Sequence, residues 1–396
     1  SAVSFIAPDL YEKCKHFSYG DVLMTLTGEN KPDIAKAVAY LGTEPIAASG
    51  DLAFWTQHGM NPLFLSYIMA SPYIIARKVA LATGDIIVHI SGDKLGTILL
   101  PVPPLAEQER IVACIQEAEL VIENYAIKAT ALQKLQDSFP EALKKSILQE
   151  AVQGKLVPQD PSDEPAEALL ERIRAEKQRL IKEGKIKKDK HESVIFRRDN
   201  SHYEKRGSEE VCIDDEIPFE IPENWVWCRL GSILEKLTDG AHSTPKYTDS
   251  GVPFISVKDV SSGVLSFDSA KHISESEHRE LYKRCDPKRG DILLTKVGTT
   301  GIPVIVDTDE EFSLFVSVAQ LRFLHSLLDK NYLLLLIQSP LVQQQCTEHT
   351  RGVGNKNWVM RDIANTLVAI PPLAEQKRIV AFYTSITPLI QSVGTV

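Results

Sequence analysis

Residues 103–113, which open Pro103-Pro104-Leu105-Ala106-Glu107-Gln108, recur at 371–381 with ten of eleven positions identical, at an offset of 268. The same offset sets Ser71-Pro72 on Ser339-Pro340 and Thr83-Gly84 on Arg351-Gly352. An offset of 270 sets residues 20–25 on 290–295 and Gly28 on Gly298. Chance does not place so many landmarks in register, and a period this long marks duplicated domains, not a solenoid of short repeats. Two copies of one unit in a chain pack as identical subunits do, which predicts pseudo-twofold symmetry. A length of 396 residues leaves room for two or three domains. Residue 1 aligns near position 270, whereas the second copy starts near 217–225, so about 50 residues are expected to be absent from the first copy. Together with an opening Ser1, this predicts a truncated or processed amino terminus.

Each repeat motif predicts a helix start. Two prolines set an extended lead-in, and Glu107 and Glu375 fall in the first turn, where the helix dipole favours negative charge. Apolar or small residues follow at Ile111, Ile115, Ala118, Ile122, Tyr125, Ala129 and Leu132, the alternating spacing of a coiled-coil seam. Ile379, Tyr383 and Ile386 repeat that register, in a helix shortened by Pro388 and Gly394. These residues are the candidates for helix pairing. Residues 138–141 (Ser-Phe-Pro-Glu) read as a capping box that kinks the first helix or starts another, and Gly154 as its stop. If continuous, that helix spans roughly 70 Å.

A second helix is expected over 166–183. Residues 172–206 hold thirteen Lys/Arg against six Asp/Glu and read as a basic linker able to touch phosphate. Short strands are expected at 251–257, 291–297, 302–306 and 314–324, and a helix at 332–337. The chain is therefore read as α+β. A partial first unit covers 1–102, central helices 103–153, a helix and linker 154–216, a second unit 217–370 and a last helix 371–396.

Signatures of covalent chemistry are missing. There is no GxxxxGK[ST], no GxGxxG after a strand, no HExxH and no CxxC. Asn61-Pro62-Leu63-Phe64 approaches the Asn-Pro-Pro-Phe loop of adenine methyltransferases but lacks a proline and a preceding glycine motif. No catalytic residue, metal or cofactor is assigned. The six scattered cysteines read as reduced thiols of a cytoplasmic protein, and no apolar run approaches the ~20 residues of a membrane span. A net charge of −9 excludes a broad polycation but not local basic faces.

Binding residues are easier to nominate. Residues 237–247 form a polar turn carrying His242, Ser243, Thr244, Lys246 and Tyr247. Lys258, Lys296, Thr299, Thr300, Arg351, Asn355, Lys356 and Asn357 lie in other turns of the same unit, and Thr25, Thr27, Asn30 and Lys31 are counterparts in the first. As a set on loops they predict a polar face suited to base edges and phosphates.

The duplicated motif resembles the conserved regions of the DNA specificity (S) subunit of type I restriction–modification systems. So do residues 146–160, 221–225, 239–254, 290–293 and 351–356. The resemblance implies two target recognition domains, the first truncated, held apart by long antiparallel coiled-coil helices, each reading one half of a split site on double-stranded DNA. It implies methyltransferase (M) subunits that supply S-adenosylmethionine and adenine methylation, and restriction (R) subunits that use ATP and Mg. The rival readings are a self-sufficient DNA methyltransferase or nuclease and a coiled-coil adaptor that binds only proteins.

Overall fold

The recurring motif builds one joint twice. In the computed structural model, which describes residues 7–44, 46–48, 50–186, 192–352 and 356–393, the chain divides into units 1–133 and 134–396. In the first, Gln108 is buried; its Oε1 accepts from the Asn61 backbone N–H at 2.9 Å and its Nε2 donates to the Pro103 carbonyl at 2.9 Å. In the second, Gln376 accepts from the Asp329 N–H at 2.9 Å and donates to the Pro371 carbonyl at 3.0 Å. All three positions shift by 268. Asn61 and Asp329 in turn cap the helices Pro62–Met69 and Lys330–Gln338 through their side-chain oxygens.

The agreement runs through each unit. Gly20 and Gly290 have φ of 94° and 95°, a region costly for any residue with a Cβ. The aspartate after each accepts a backbone N–H three residues earlier, Ser18 to Asp21 at 2.8 Å and Lys288 to Asp291 at 2.9 Å. The strands Val22–Thr25 and Ile292–Thr295 follow. The first lies between Ala37–Ala39 and Leu52–Trp55, and the second between Pro303–Ile305 and Val318–Phe323, all antiparallel. Thr83 exchanges backbone bonds with His89, and Arg351 with Asn357, again 268 apart.

The two cores differ in size. The first gathers Val22, Met24, Ile34, Leu65, Ile74 and Ile90. The second surrounds Leu230, Ile233, Leu321, Tyr332, Trp358 and Val368, and takes in Leu148, Ala151 and Val152 from the long helix, Leu169 and Ile173 from Ala166–Lys182, and Ile379 from the last helix.

The central helix runs unbroken from Leu105 to Val152 with Pro140 inside it. The expected capping box at 138–141 does not form, because Ser138 turns back to the Leu135 carbonyl at 3.2 Å and helix continues on both sides of the proline. The expected linker is also corrected in part. Ser193–Arg198, Ser201–Arg206 and Glu209–Cys212 form an antiparallel meander. Its anchor is Glu204, buried and bound by Arg229 at 2.7 and 3.0 Å. The expected strand at 314–324 is two strands, Ser313–Leu314 and Val318–Phe323, in different sheets.

Two outcomes follow. Gln376→Leu strands a buried N–H and a carbonyl, and should cost the second unit about 2–4 kcal/mol in urea unfolding. Burial alone would raise the Glu204 carboxyl, but hydrogen bonds from Arg229 and Arg206 outweigh it and hold the group down from 4.5 to about 2. Its contribution is therefore complete above pH ~4.5 and disappears as pH falls toward 2. An acid titration of stability should flatten across that window in Glu204→Gln.

Candidate functional site

The strands Leu234–Asp239 and Ile292–Thr295 both lie antiparallel to Val318–Phe323, so their carboxyl ends emerge on one side of the sheet. Asp239 ends the first and Lys296 follows the second. Both are buried, and Lys296 Nζ donates to Asp239 Oδ2 at 3.2 Å and to the Val316 carbonyl at 3.2 Å. The other Asp239 oxygen binds the Arg284 guanidinium and lies 3.1 Å from His242 Nε2, which is 3.2 Å from Arg284. Arg284 and His242 expose more than half of their side chains. A buried carboxylate thus holds one cation inside and aims a guanidinium and an imidazole outward.

The turn is fixed by close backbone contact. Ala241 N–H donates to the Leu314 carbonyl at 2.8 Å, and Val316 N–H returns to the Ala241 carbonyl at 2.9 Å. A Cβ at Gly240 would sit 1.9 Å from the Leu314 oxygen, so no other residue fits. Beyond it Ser243, Thr244, Lys246 and Tyr247 are exposed, with Lys271 Nζ 4.1 Å from the Tyr247 ring centre.

Lys296 also joins a second cluster through its backbone. Its carbonyl accepts from Trp358 N–H at 2.8 Å, and Gly298 N–H donates to the Lys356 carbonyl at 2.9 Å. Thr299, Arg351 and Lys356 are exposed there, while Thr300 and Asn357 are half-buried. Thr300 accepts from the Thr350 hydroxyl at 3.5 Å, and Arg351 approaches Asp362 at 3.8 Å. Among the described residues Asn357 Oδ1 is buried without a hydrogen-bond partner. Asn355 lies outside the described residues. Lys258 is exposed beside Asp259, whose carboxylate closes a capping box with Ser256.

Lys296 differs from the exposed candidates in this set: it is buried and bound to Asp239, so it positions the turn. Arg284 carries no signal in the sequence, because its partner Asp239 lies 45 residues earlier and nothing in the local pattern links the two.

In the first unit Thr25 and Asn30 are exposed and Thr27 and Lys31 half-buried. Lys31 pairs with Asp85 at 3.2 Å, and Asn30 Oδ1 accepts from Asp33 N–H at 2.9 Å. Of the pairing candidates, Ile122, Tyr125 and Leu132 are exposed and Ile111 and Ile115 half-buried. Ile379 fills the second core, with Tyr383 packed against it and Ile386 half-buried. That core also holds Leu148, Ala151 and Val152, so the last helix shares a core with the end of the long one. Arg378 fixes it further by pairing with Asp163 at 2.6 Å. Glu375 accepts from Trp225 Nε1 at 2.9 Å.

Among the described residues no group of histidine, cysteine and carboxylate side chains could hold a metal ion, and no helix is long and apolar enough to cross a membrane. Residues 222–392 match the family model of the type I restriction modification DNA specificity domain. The specificity subunit of the type I restriction enzyme EcoAI of Escherichia coli is 32% identical over 273 residues, covering 67% of this chain and 43% of that protein. That of EcoEI, also of Escherichia coli, is 30% identical over 284 residues, covering 67% and 44%. The chain thus spans less than half the length of these relatives. A solved HsdS subunit from Thermoanaerobacter tengcongensis aligns over 95% of this chain and 75% of its own, at 17% identity and a TM-score of 0.47.

Replacing Asp239 tests the electrostatic core of the site. Asp239→Ala leaves the Lys296 cation buried without its counter-charge and should cost about 3–5 kcal/mol in chemical denaturation. Asp239→Ala with Lys296→Met should recover part of that loss, because neither charge is then left alone.

Proposed function

Because the chain belongs to the type I restriction–modification DNA specificity subunits, we propose that it reads DNA sequence and performs no covalent chemistry itself. The rim of the second unit carries this reading. His242, Arg284, Arg351 and Lys356 stand exposed on turns tied to one buried Asp239–Lys296 pair, so they hold a fixed pattern of donors. Arginine and lysine read guanine, histidine and threonine reach bases or phosphates, and a rigid frame sets which edge each one meets. Two units built on one plan but differing in these loops suit two different half-sites whose spacing follows from geometry.

Methylation and cleavage then belong to partners. M subunits would supply S-adenosylmethionine chemistry, and R subunits the ATP- and Mg-dependent steps. The exposed apolar residues Leu120, Ile122, Tyr125 and Leu132 of the long helix offer a surface for helix pairing or for M subunits. Such a complex would work in the cytoplasm.

The test is methylation mapping with the reconstituted complex, followed by binding to the mapped duplex. Arg284→Ala and Lys356→Ala should each weaken binding by about 1–3 kcal/mol. Arg284→Ala should also relax the preference at one position. Methyl transfer by the isolated chain, or binding without sequence preference, would defeat the proposal.

A further inference from the structure

The cations of residues 217–370 fall into two kinds. Each of the seven arginines there lies against a carboxylate, and so do Lys236, Lys283, Lys288 and Lys296. Their charge is met inside the protein. Among the described residues, Lys246, Lys258, Lys271, Lys330 and Lys356 have no carboxylate partner, and all five are exposed. Lys330 opens the helix Lys330–Gln338 beside the Gln376 joint. The other four stand around the turn that follows Asp239.

Separate ties put each of them there. Lys246 belongs to the turn itself, and its N–H donates to Glu277 at 3.4 Å. Lys258 follows Val257, whose N–H donates to Ser317 Oγ at 3.0 Å, and the Ser317 carbonyl accepts from Lys296 N–H at 2.9 Å. The Lys356 carbonyl accepts from Gly298 N–H, two residues beyond Lys296. Lys271 lies opposite Phe254 in its sheet, and Phe254 packs on Phe315, which bridges to Ala241. Lys271 Nζ rests 4.1 Å from the Tyr247 ring centre. An aromatic face holds an ammonium in place without cancelling its charge, as a carboxylate would.

We propose that Lys246, Lys258, Lys271 and Lys356 form a frame that grips the backbone phosphates of duplex DNA, with Lys271, fixed on Tyr247, as an anchoring contact. This inference rests on the reading of the rim as a DNA reader and divides the labour within it. A side chain that reads a base edge needs a fixed direction, and Asp239 behind Arg284 supplies one. A phosphate contact needs uncompensated charge, and a lysine is a point charge on an adaptable stem. Each unpaired lysine that neutralises a phosphate releases counterions from the duplex, so these four set the salt dependence of binding while the carboxylate-held groups set the preference for bases.

The chain reconstituted with its M subunits is bound to the mapped duplex over a salt series. Each phosphate contact adds about 0.9 to the slope of log affinity against log salt. Lys271→Gln should lower that slope by about one unit and leave the base preference unchanged, and Lys271→Arg should restore it. Lys330→Gln removes an equally exposed charge away from the rim and should leave the slope alone. Neutral methylphosphonates placed one at a time in the duplex should show a position that weakens the unaltered complex but not Lys271→Gln. A slope unmoved by Lys271→Gln and by replacement of all four lysines, or moved equally by Lys330→Gln, would overturn the inference and leave sequence reading standing. So would a changed base preference in Lys271→Gln, or lost assembly with M subunits in place of weaker DNA binding. Absence of any sequence preference in the unaltered complex would remove the underlying reading and this inference with it.

Discussion

One buried glutamine governs how each proline-led helix meets the domain before it. Gln108 and Gln376 each accept a backbone N–H from a helix cap and donate to the carbonyl of the first proline. A primary amide has both a donor and an acceptor, so it can satisfy two backbone groups of opposite kind at once. Neither glutamate nor leucine at that position can do so. The joint demands three things together: the glutamine, the prolines that fix the approach, and an asparagine or aspartate at the cap. That requirement accounts for the recurrence of the prolines and the glutamine in 103–113 and 371–381 while the domains around them differ.

Elsewhere the two copies keep the backbone problem and change the side chain that solves it. Ala35 and Gly301 occupy corresponding positive-φ turns, at 52° and 87°. In the first unit buried Lys78 donates to the carbonyls of Ala35 and Met69. In the second, Gln343 donates to those of Gly301 and Ile337. The lysine reaches them from one turn further along its helix. Burial pushes the Lys78 ammonium down from its ordinary value. The glutamine meets the same need without burying a charge.

The sequence made the duplication, the long helix and most strands legible because each rests on local pattern: identity in register, apolar spacing, or glycine before a turn. Features resting on distant partners were hidden. The meander at 193–212 is dense in charge and reads as linker, yet Glu204 is buried because Arg229 reaches it from 25 residues away. Lys296 reads as a turn residue, yet Asp239, 57 residues earlier, holds it inside. Arg284 is hidden in the same way, since it meets Asp239 across 45 residues. Ile379 follows a coiled-coil register but fills a globular core, since the same spacing serves either use and only the neighbours decide. Ile122, Tyr125 and Leu132 keep the register and stand exposed.

The sheets show where divergence had room. Asp21 and Asp291 make the same backbone bond, but Asp291 also holds Arg322 at 2.8 Å and Gln320 at 2.8 Å. Arg322 and Lys236 further bind Asp286, which burial would raise but which these cations hold down to about 2. The first unit has Phe54 and Thr56 where Gln320 and Arg322 stand, so no such network can form. A partly buried ionic network centred on buried Asp291 tolerates little change, because removing one member leaves the others unpaired. It ties the amino end of the strand Ile292–Thr295, while the Asp239–Lys296 pair ties the turns at the carboxyl end. Turns held at a buried ion pair keep their exposed cations in a fixed pattern instead of a diffuse charge. A chain with net charge −9 can then carry a local basic rim without binding every polyanion it meets.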